Sequence, residues 1–403
     1  MACAPRRPDT AARTAAVRPG IEALIAESLH LVRGQRIGLL SNQTGIDRLR
    51  RRDVDLLLGT DGVRLTALFS PEHGFRGAED RTDLPDATDS VTGLPIYSVY
   101  TGTRAPTISG LDTIDVLVVD LQDIGARYYT YVATAVVLAR AAAERGRRVI
   151  VLDRPNPVGG ETTQGNVQSE PAPVGTLVGL LPVPMRHGLT FGEMMAMAGE
   201  LYGFGGALTI VPAAGWRRPM YFDATGLPWV RPSPNMPDLE SALHYPGTCL
   251  FEGTNLSVGR GTPFAYQVIG APWLDPDAVV RTAQAAGKGK GDAFAGVRVS
   301  TVRFTPRAPT DGKYDGLTLR GVRLRVTDRR RYDPTRTAVA LLVAVRDVHG
   351  DSLAFRTAAF DRLAGGPELR DAVANGRSAA EIWAPWDSSL ARYRDWRAKY
   401  LLY

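Results

Sequence analysis

The segment Ser70-Pro-Glu-His-Gly-Phe-Arg-Gly77 sets a glutamate beside a histidine at the end of an apolar run. Hydrolysis of a glycosidic bond needs one carboxylic acid at the leaving oxygen. It also needs a second group acting as base, nucleophile or electrostatic stabiliser. Glu72 stands between the rigid Pro71 and the flexible Gly74, and Phe75 brings an apolar neighbour of the kind that suits a general acid at neutral pH. The plainer alternative is that Glu72 caps the following turn, and the residues alone leave both readings open. Asp120, Asp123, Asp153 and Glu252 are the candidates for the second role.

Other chemistries have weaker footing. A dinucleotide site needs glycines in the first strand-to-helix turn, and Ser41-Asn-Gln-Thr-Gly45 offers one. No GxxxxGK[ST] loop occurs. His73, Asp120, Asp123, Asp153 and His187 are metal-ligand types, but no pair has a recognisable ligand spacing. A G-x-S-x-G elbow is also missing, and Ser70, preceding a proline, shapes its loop rather than attacking a substrate.

The elements that must position these residues follow from periodicity. Arg36–Leu40, the alternating Val63–Phe69, Val116–Val119, Val149–Leu152 and Leu208–Val211 are predicted strands. Helices are expected before the first of them, up to about Leu58, and from about Thr130 to Arg145. Thr190 and Glu193 have capping-box spacing and open another helix. This alternation predicts a mostly parallel, Rossmann-like α/β sheet with helices on both faces. Four strands end in polar clusters: Asn42/Gln43, Glu72/His73, Asp120/Gln122/Asp123 and Asp153/Arg154/Asn156. Ligands bind beyond the carboxyl ends of strands in such sheets, so the clusters are expected to share one site.

From about Trp216 to Pro263 the chain is rich in Gly, Pro and Asn and reads as irregular but functional. Beyond it come a helix near Asp277–Ala286, strands near Val297–Phe304 and Gly316–Val326, and a helix near Thr335–His349. Gly287–Gly291 reads as an exposed loop. The expected organisation is a disordered lead-in over 1–19, a catalytic domain over 20–242, and a smaller α/β domain over 243–403 that completes a cleft.

The chain has 403 residues and a net charge of +6, carried almost entirely by arginine; the lysines are Lys288, Lys290, Lys313 and Lys399. These charges are dispersed, so no nucleic-acid partner is expected, and Arg48–Arg52 reads as a solvated face. Cys3 and Cys249 support neither a disulfide framework nor a zinc site. No run is long enough for a membrane span. The first 20 residues lack the apolar stretch of a secretory leader, which reads as cytoplasmic.

Several long motifs resemble those of the NamZ exo-β-N-acetylmuramidase family. They are Ser41–Gly45, Ser70–Gly77, Asp120-Leu-Gln-Asp-Ile-Gly-Ala-Arg-Tyr-Tyr-Thr-Tyr131, Leu152-Asp-Arg-Pro-Asn-Pro157 and Arg186-His-Gly-Leu-Thr190. The series continues through Pro232–Pro237, Tyr245–Thr248, Glu252–Asn255 and Gly259–Thr262 to Tyr400–Tyr403. The resemblance implies a Rossmann-like domain, a smaller C-terminal domain and a cleft between them. It implies release of terminal β-1,4-linked N-acetylmuramic acid from non-reducing ends of peptidoglycan fragments, with Glu72 catalytic and His73 its neighbour. Ser98-Val-Tyr-Thr-Gly-Thr103 departs from the Leu-Tyr-Gly form associated with the family. Many relatives carry an export signal, so secretion is the family-based alternative for location.

The substrate is then a muropeptide or muramyl disaccharide, and no cofactor or metal is expected. Glu72 is read as general acid/base, with Asp120 as first choice for the second carboxylate; the substrate's own acetamido group is an alternative nucleophile. Arg76, Arg127, Arg154 and Arg260 are candidates to grip the lactyl carboxylate, against the alternative of internal salt bridges. Tyr128, Tyr129 and Tyr131 can stack on sugar faces. Asn42, Gln122, Asn156, Asn235 and Asn255 are candidate hydroxyl and amide partners, and Asp123, Asp153, His187 and Glu252 complete the expected binding set. The rival functions are a non-catalytic muramyl-sugar-binding protein and a metal-dependent hydrolase.

Overall fold

A computed structural model describes residues 16–77, 84–99, 108–286 and 292–403. The expected lead-in lies outside the described residues up to residue 15, as does the loop Gly287–Gly291. Residues 17 and 18 are not part of a loose lead-in. Val17 is buried against Ala213 and Trp216, and Arg18 bridges to Ala214.

The first half runs α1 (Gly20–Glu27), β1 (Arg36–Ser41), α2 (Asp53–Leu58), β2 (Arg64–Ser70), β3 (Ala87–Thr88), β4 (Pro95–Ser98), β5 (Val116–Asp120), α3 (Tyr131–Glu144) and β6 (Arg148–Leu152). It continues with an antiparallel pair, β7 (Gln164–Val167) and β8 (Pro184–Arg186), then α4 (Phe191–Leu201) and β9 (Leu208–Val211). Seven strands form one sheet in the order β3-β4-β2-β1-β5-β6-β9, parallel except for the β3–β4 edge. Without β3 this is the doubly wound order, and the winding reverses between β1 and β5.

Both faces of the sheet are covered, so the strands read as continuous apolar runs. Alternate residues still serve different cores. Leu39, Val118 and Ile150 pack with Ile21, Leu24 and Leu57 from α1 and α2. Leu40, Val119 and Val151 pack with Val136, Ala139 and Met195 from α3 and α4. The Thr190–Glu193 capping box opens α4 as the spacing predicts.

The second half contains α5 (Leu239–Thr248), β10 (Val268–Ala271), α6 (Pro276–Ala286), β11 (Val297–Phe304), β12 (Leu319–Val326) and α7 (Pro334–His349). Four helices follow: α8 (Thr357–Ala364), α9 (Glu368–Ala374), α10 (Ala379–Trp383) and α11 (Trp386–Arg397). Strands β10, β12 and β11 form an antiparallel sheet. Helix α5 lies inside the stretch read as irregular. Pro246 and Gly247 disguise it, yet Asp238 caps it by accepting from Ser241 N at 2.8 Å. A Cβ on Gly247 would lie 1.9 Å from the Pro334 carbonyl oxygen, so glycine is what lets α7 approach. The 242/243 division falls within this helix, and Ala242, Leu243 and Tyr245 all join the core of the second half.

The last segment returns to the first half. Tyr393 and Tyr400 are buried in the core beside α3 and α4. Arg397 donates to the carbonyls of Gly160, His187 and Gly188 (3.3, 3.1 and 2.8 Å), and Leu402 N donates to Glu193 (2.9 Å). Tyr403 donates its hydroxyl to Asp153 at 2.8 Å. Among the described residues no helix is long and apolar enough to cross a membrane.

Asp153 is fully buried beneath this contact. Burial pushes its carboxyl up to about 6, despite hydrogen bonds from Thr190, Gly192 N and Tyr403. A carboxyl raised on folding takes up protons in the folded state between about pH 4 and 6. Its share of the stability therefore falls as pH rises through that window. Chemical unfolding at pH 4 and pH 6.5 is expected to show Asp153→Asn gaining on the wild type by on the order of 2 kcal/mol over the interval. Parallel pH profiles for the two proteins would contradict this.

Candidate active site

Strand β2 delivers Glu72. The chain leaves the sheet at Ser70 and turns over Pro71–Gly74, with Gly74 N donating to the Pro71 carbonyl at 3.1 Å. His73 occupies the left-handed region (φ 71°), followed by Gly74 at φ 76°. That conformation costs a non-glycine residue roughly 1–2 kcal/mol and is typical of backbone held for function. It leaves the Glu72 side chain 21% exposed at the corner, with Oε1 3.9 Å from His73 Nε2. Oε2 accepts the Thr130 hydroxyl at 2.7 Å. Thr130 is the residue before α3, so the β5–α3 connection fixes the rotation of the carboxyl group.

Glu72 opens into a cavity of about 270 Å³ at the carboxyl ends of the strands. The first half contributes His73, Tyr129, Thr130 and Tyr131; the connection supplies Ser233 and Asn235; the second half adds Tyr245, Cys249, Glu252, Arg260 and Tyr266. Tyr131 donates its hydroxyl to the Pro232 carbonyl and packs edge-on to Tyr129 at 4.8 Å. Tyr245 and Tyr266 meet edge-on at 4.5 Å. Such rings offer apolar faces with polar rims, which suits a pyranose.

Glu252 sits in the short 3-10 turn Cys249–Gly253 that directly continues α5. Its Oε1 accepts from Arg260 Nε at 2.5 Å and from the Tyr266 hydroxyl at 2.8 Å. Arg260 also donates to Tyr266 at 2.9 Å and to the Thr310 hydroxyl at 3.0 Å. Burial alone would raise the Glu252 carboxyl. The Arg260 charge, the hydrogen bonds from Arg260 and Tyr266, and the Lys313 charge together hold it below the ordinary carboxylate value. Lys313 fastens the turn, donating to the carbonyls of Phe251, Glu252 and Leu256 at 3.3, 3.1 and 2.8 Å. One cavity thus holds a carboxyl oriented by a threonine and a carboxylate kept ionised by an arginine.

Of the residues singled out from the sequence, the cavity gathers Glu72, His73, Tyr128, Tyr129, Tyr131, Asn235, Glu252 and Arg260. The rest lie elsewhere, and most hold loops together. Asp120 is fully buried in an ion pair with Arg154, whose Nη2 donates to it at 2.9 Å and to the Ile46 carbonyl at 2.9 Å. This pair corrects both expectations: neither side chain reaches the cavity, because each is the other's buried counter-charge. Asp53 lies beneath them, and burial followed by the Asp120 charge pushes its carboxyl well up.

Asn42 is turned onto Thr44, and Gln122 onto the carbonyls of Asp123 and Pro155. Asp123 accepts from Gly125 N and lies 3.3 Å from buried His187. Asp153 holds the start of α4 through Thr190 and Gly192, and Asn156 accepts from Val158 N and donates to the Leu189 carbonyl. Arg127 straps the two halves, reaching the carbonyls of Val183 and Leu363. Arg76 pairs with Asp89 at 2.7 Å, and Asn255 pins the Ser352–Ala354 loop. The four strand-end clusters do share one side of the sheet, but the side chains of three of them are engaged chiefly by neighbouring loops, with Asp120 and Arg154 paired to each other.

Thr130, Ser233, Tyr245, Cys249 and Tyr266 were not among the expected site residues. Thr130 and Tyr245 stood inside the quoted motifs, so a signal was present; Cys249 and Tyr266 carried none. Larger hollows exist. One of about 720 Å³ is bordered by Arg48, Arg51 and Arg52, but these pair with Glu22, Asp47 and Asp55. The 270 Å³ cavity combines an unusual backbone at His73 with two acid groups in its lining, Glu72 and Glu252. Thr130→Val is expected to lower kcat about 10- to 100-fold with a smaller change in KM, since it frees the Glu72 carboxyl to rotate. Steady-state kinetics would check this, and an unchanged kcat would argue against the positioning role.

Among the described residues no group of three or more His, Cys, Asp or Glu side chains is placed to hold a metal ion. Residues 37–240 match the family description "Exo-beta-N-acetylmuramidase NamZ, N-terminal", and residues 243–403 match its C-terminal counterpart. A relative from Bacillus subtilis (strain 168), named peptidoglycan beta-N-acetylmuramidase NamZ, is 38% identical over 401 residues, spanning 98% of this chain and 94% of that protein. Crystal structures of two DUF1343 family proteins from Bacteroides fragilis superpose with TM-scores of 0.84 and 0.75 at 32% and 31% identity. Each comparison covers 96% of this chain and 99% of the other. With matching family descriptions on both halves and a relative aligned over nearly its whole length, this chain belongs to the NamZ exo-β-N-acetylmuramidase family.

Proposed function

We propose that this protein is an exo-acting glycoside hydrolase that releases terminal β-1,4-linked N-acetylmuramic acid from the non-reducing ends of peptidoglycan fragments. The observation that carries the reading is the presence of Glu72 and the ionised Glu252–Arg260 pair in one tyrosine-walled cavity of about 270 Å³. That volume lies just below the usual range for small-molecule sites, which suits a single sugar residue and hence removal of terminal units.

In this reading Thr130 holds Glu72 Oε2, so the proton for the leaving oxygen is carried on Oε1, on the side of His73. Glu252 has Oε1 engaged by Arg260 and Tyr266, and Oε2, which accepts only a long contact from the Cys249 thiol at 3.8 Å, faces positive charge developing on the sugar or positions water. Glu252 therefore takes the part first assigned to Asp120.

A muramyl disaccharide and a longer, peptide-free glycan are the substrates for the test. Free N-acetylmuramic acid and a shortened glycan are the expected products by mass spectrometry, at a rate unaffected by a chelator. Internal cleavage of the glycan, or no release of the monosaccharide, would overturn the proposal. Activity abolished by the chelator and restored by a divalent ion would transfer the reading to the metal-dependent rival.

A further inference from the structure

The cavity adjoins a second recess of about 350 Å³, with which it shares Val178, Glu252, Arg260 and Leu363 as wall residues. Arg356, Ala359 and Arg362, on and beside α8, form part of its wall together with Thr310 and Asp311. The four arginines expected to read a substrate carboxylate are all occupied. Arg76 pairs with Asp89, Arg154 with Asp120, Arg260 with Glu252, and Arg127 is spent on backbone carbonyls. Arg356 and Arg362 differ. Both are exposed, and among the described residues neither guanidinium makes an ion pair or a side-chain hydrogen bond. The acids of this recess are already matched, Glu252 by Arg260 and Asp311 by Lys313 at 3.8 Å. The two arginines therefore remain as uncompensated positive charge beside the sugar cavity, with the apolar Val178, Ala359 and Leu363 next to them.

We propose that Arg356 and Arg362 form a subsite for a carboxylate carried on the terminal sugar, either the lactyl carboxylate itself or that of a peptide amide-linked to it. Guanidinium groups bind carboxylates through paired, charge-assisted hydrogen bonds, and the apolar wall suits the methyl group that a lactyl or alanyl unit presents. The inference rests on the muramyl-sugar reading and deepens it.

Binding separates the two. Calorimetry would compare wild type with Arg356→Ala/Arg362→Ala for N-acetylmuramic acid and its methyl ester. The same comparison would use N-acetylmuramyl-L-alanyl-D-isoglutamine and its methyl ester. The wild type is expected to prefer a free acid over its ester by about tenfold or more, and the double variant to lose that preference. Loss in the first pair assigns the lactyl carboxylate; loss in the second assigns the peptide carboxylate. An acid-over-ester preference equal in wild type and variant for both pairs would overturn the subsite. Because this readout needs no turnover, loss of the preference in a protein that cleaves no glycan would sustain the subsite while the hydrolase reading fails. Thermal unfolding of the double variant checks its fold, since both side chains are exposed.

Discussion

Glu72→Gln is expected to lower kcat on a muramyl disaccharide by about 10²- to 10⁴-fold while N-acetylmuramic acid still binds. The substitution preserves shape, and its amide oxygen can still accept the Thr130 hydroxyl. It removes the ability to deliver a proton to the departing sugar oxygen. A nitrophenyl muramide has a leaving group that departs without protonation, so its loss should be smaller. That difference separates a proton donor from a residue that merely shapes the turn, the alternative the sequence left open. Undiminished sugar release from the disaccharide would remove Glu72 from the mechanism.

Glu252→Gln is the second large effect. Replacing the carboxylate by a neutral amide takes away the charge that faces the sugar, with an expected loss of about 10²- to 10³-fold in kcat. Arg260→Met acts on the same charge indirectly. It leaves Glu252, only 21% exposed, without its main partner, at a cost of about 1–3 kcal/mol of stability by chemical unfolding. The double substitution should be closer to the wild type in stability than the sum of the two singles, because each partner's isolation is then relieved. Additive stability effects, or a Glu252→Gln enzyme with unaltered turnover, would point the search for the second group elsewhere.

The parallel sheet was readable because its strands are apolar runs with helices between them. Alternation needs only residue type and spacing, as Leu39 and Leu40 illustrate by serving opposite cores. Helix α5 was hidden, since Pro246 and Gly247 contradict its local propensity and the packing of α7 overrides them. The site was legible in part for a similar reason. Sequence places Asp120, Asp153 and Asn156 at strand ends as firmly as Glu72. Whether such a group faces solvent space or a neighbouring loop depends on what lies across from it. Asp120 meets Arg154, and Asp153 meets Thr190 and Tyr403, whereas Glu72 meets a hollow. Arg356 and Arg362 belong to no motif, and only the absence of side-chain partners among the described residues brings them forward.

The contact of Trp386–Tyr403 with the first half has a consequence for synthesis. The ribosome delivers the sheet strands long before Tyr393 and Tyr400, yet those two rings are part of the packing beneath α3 and α4. The nascent sheet must therefore wait with that surface uncovered while about 180 further residues emerge, on the order of 10 s at ordinary elongation rates. In folding terms the first unit is discontinuous, made of an early segment and a late one. A fragment ending near residue 242 would carry a permanent gap where the late segment belongs.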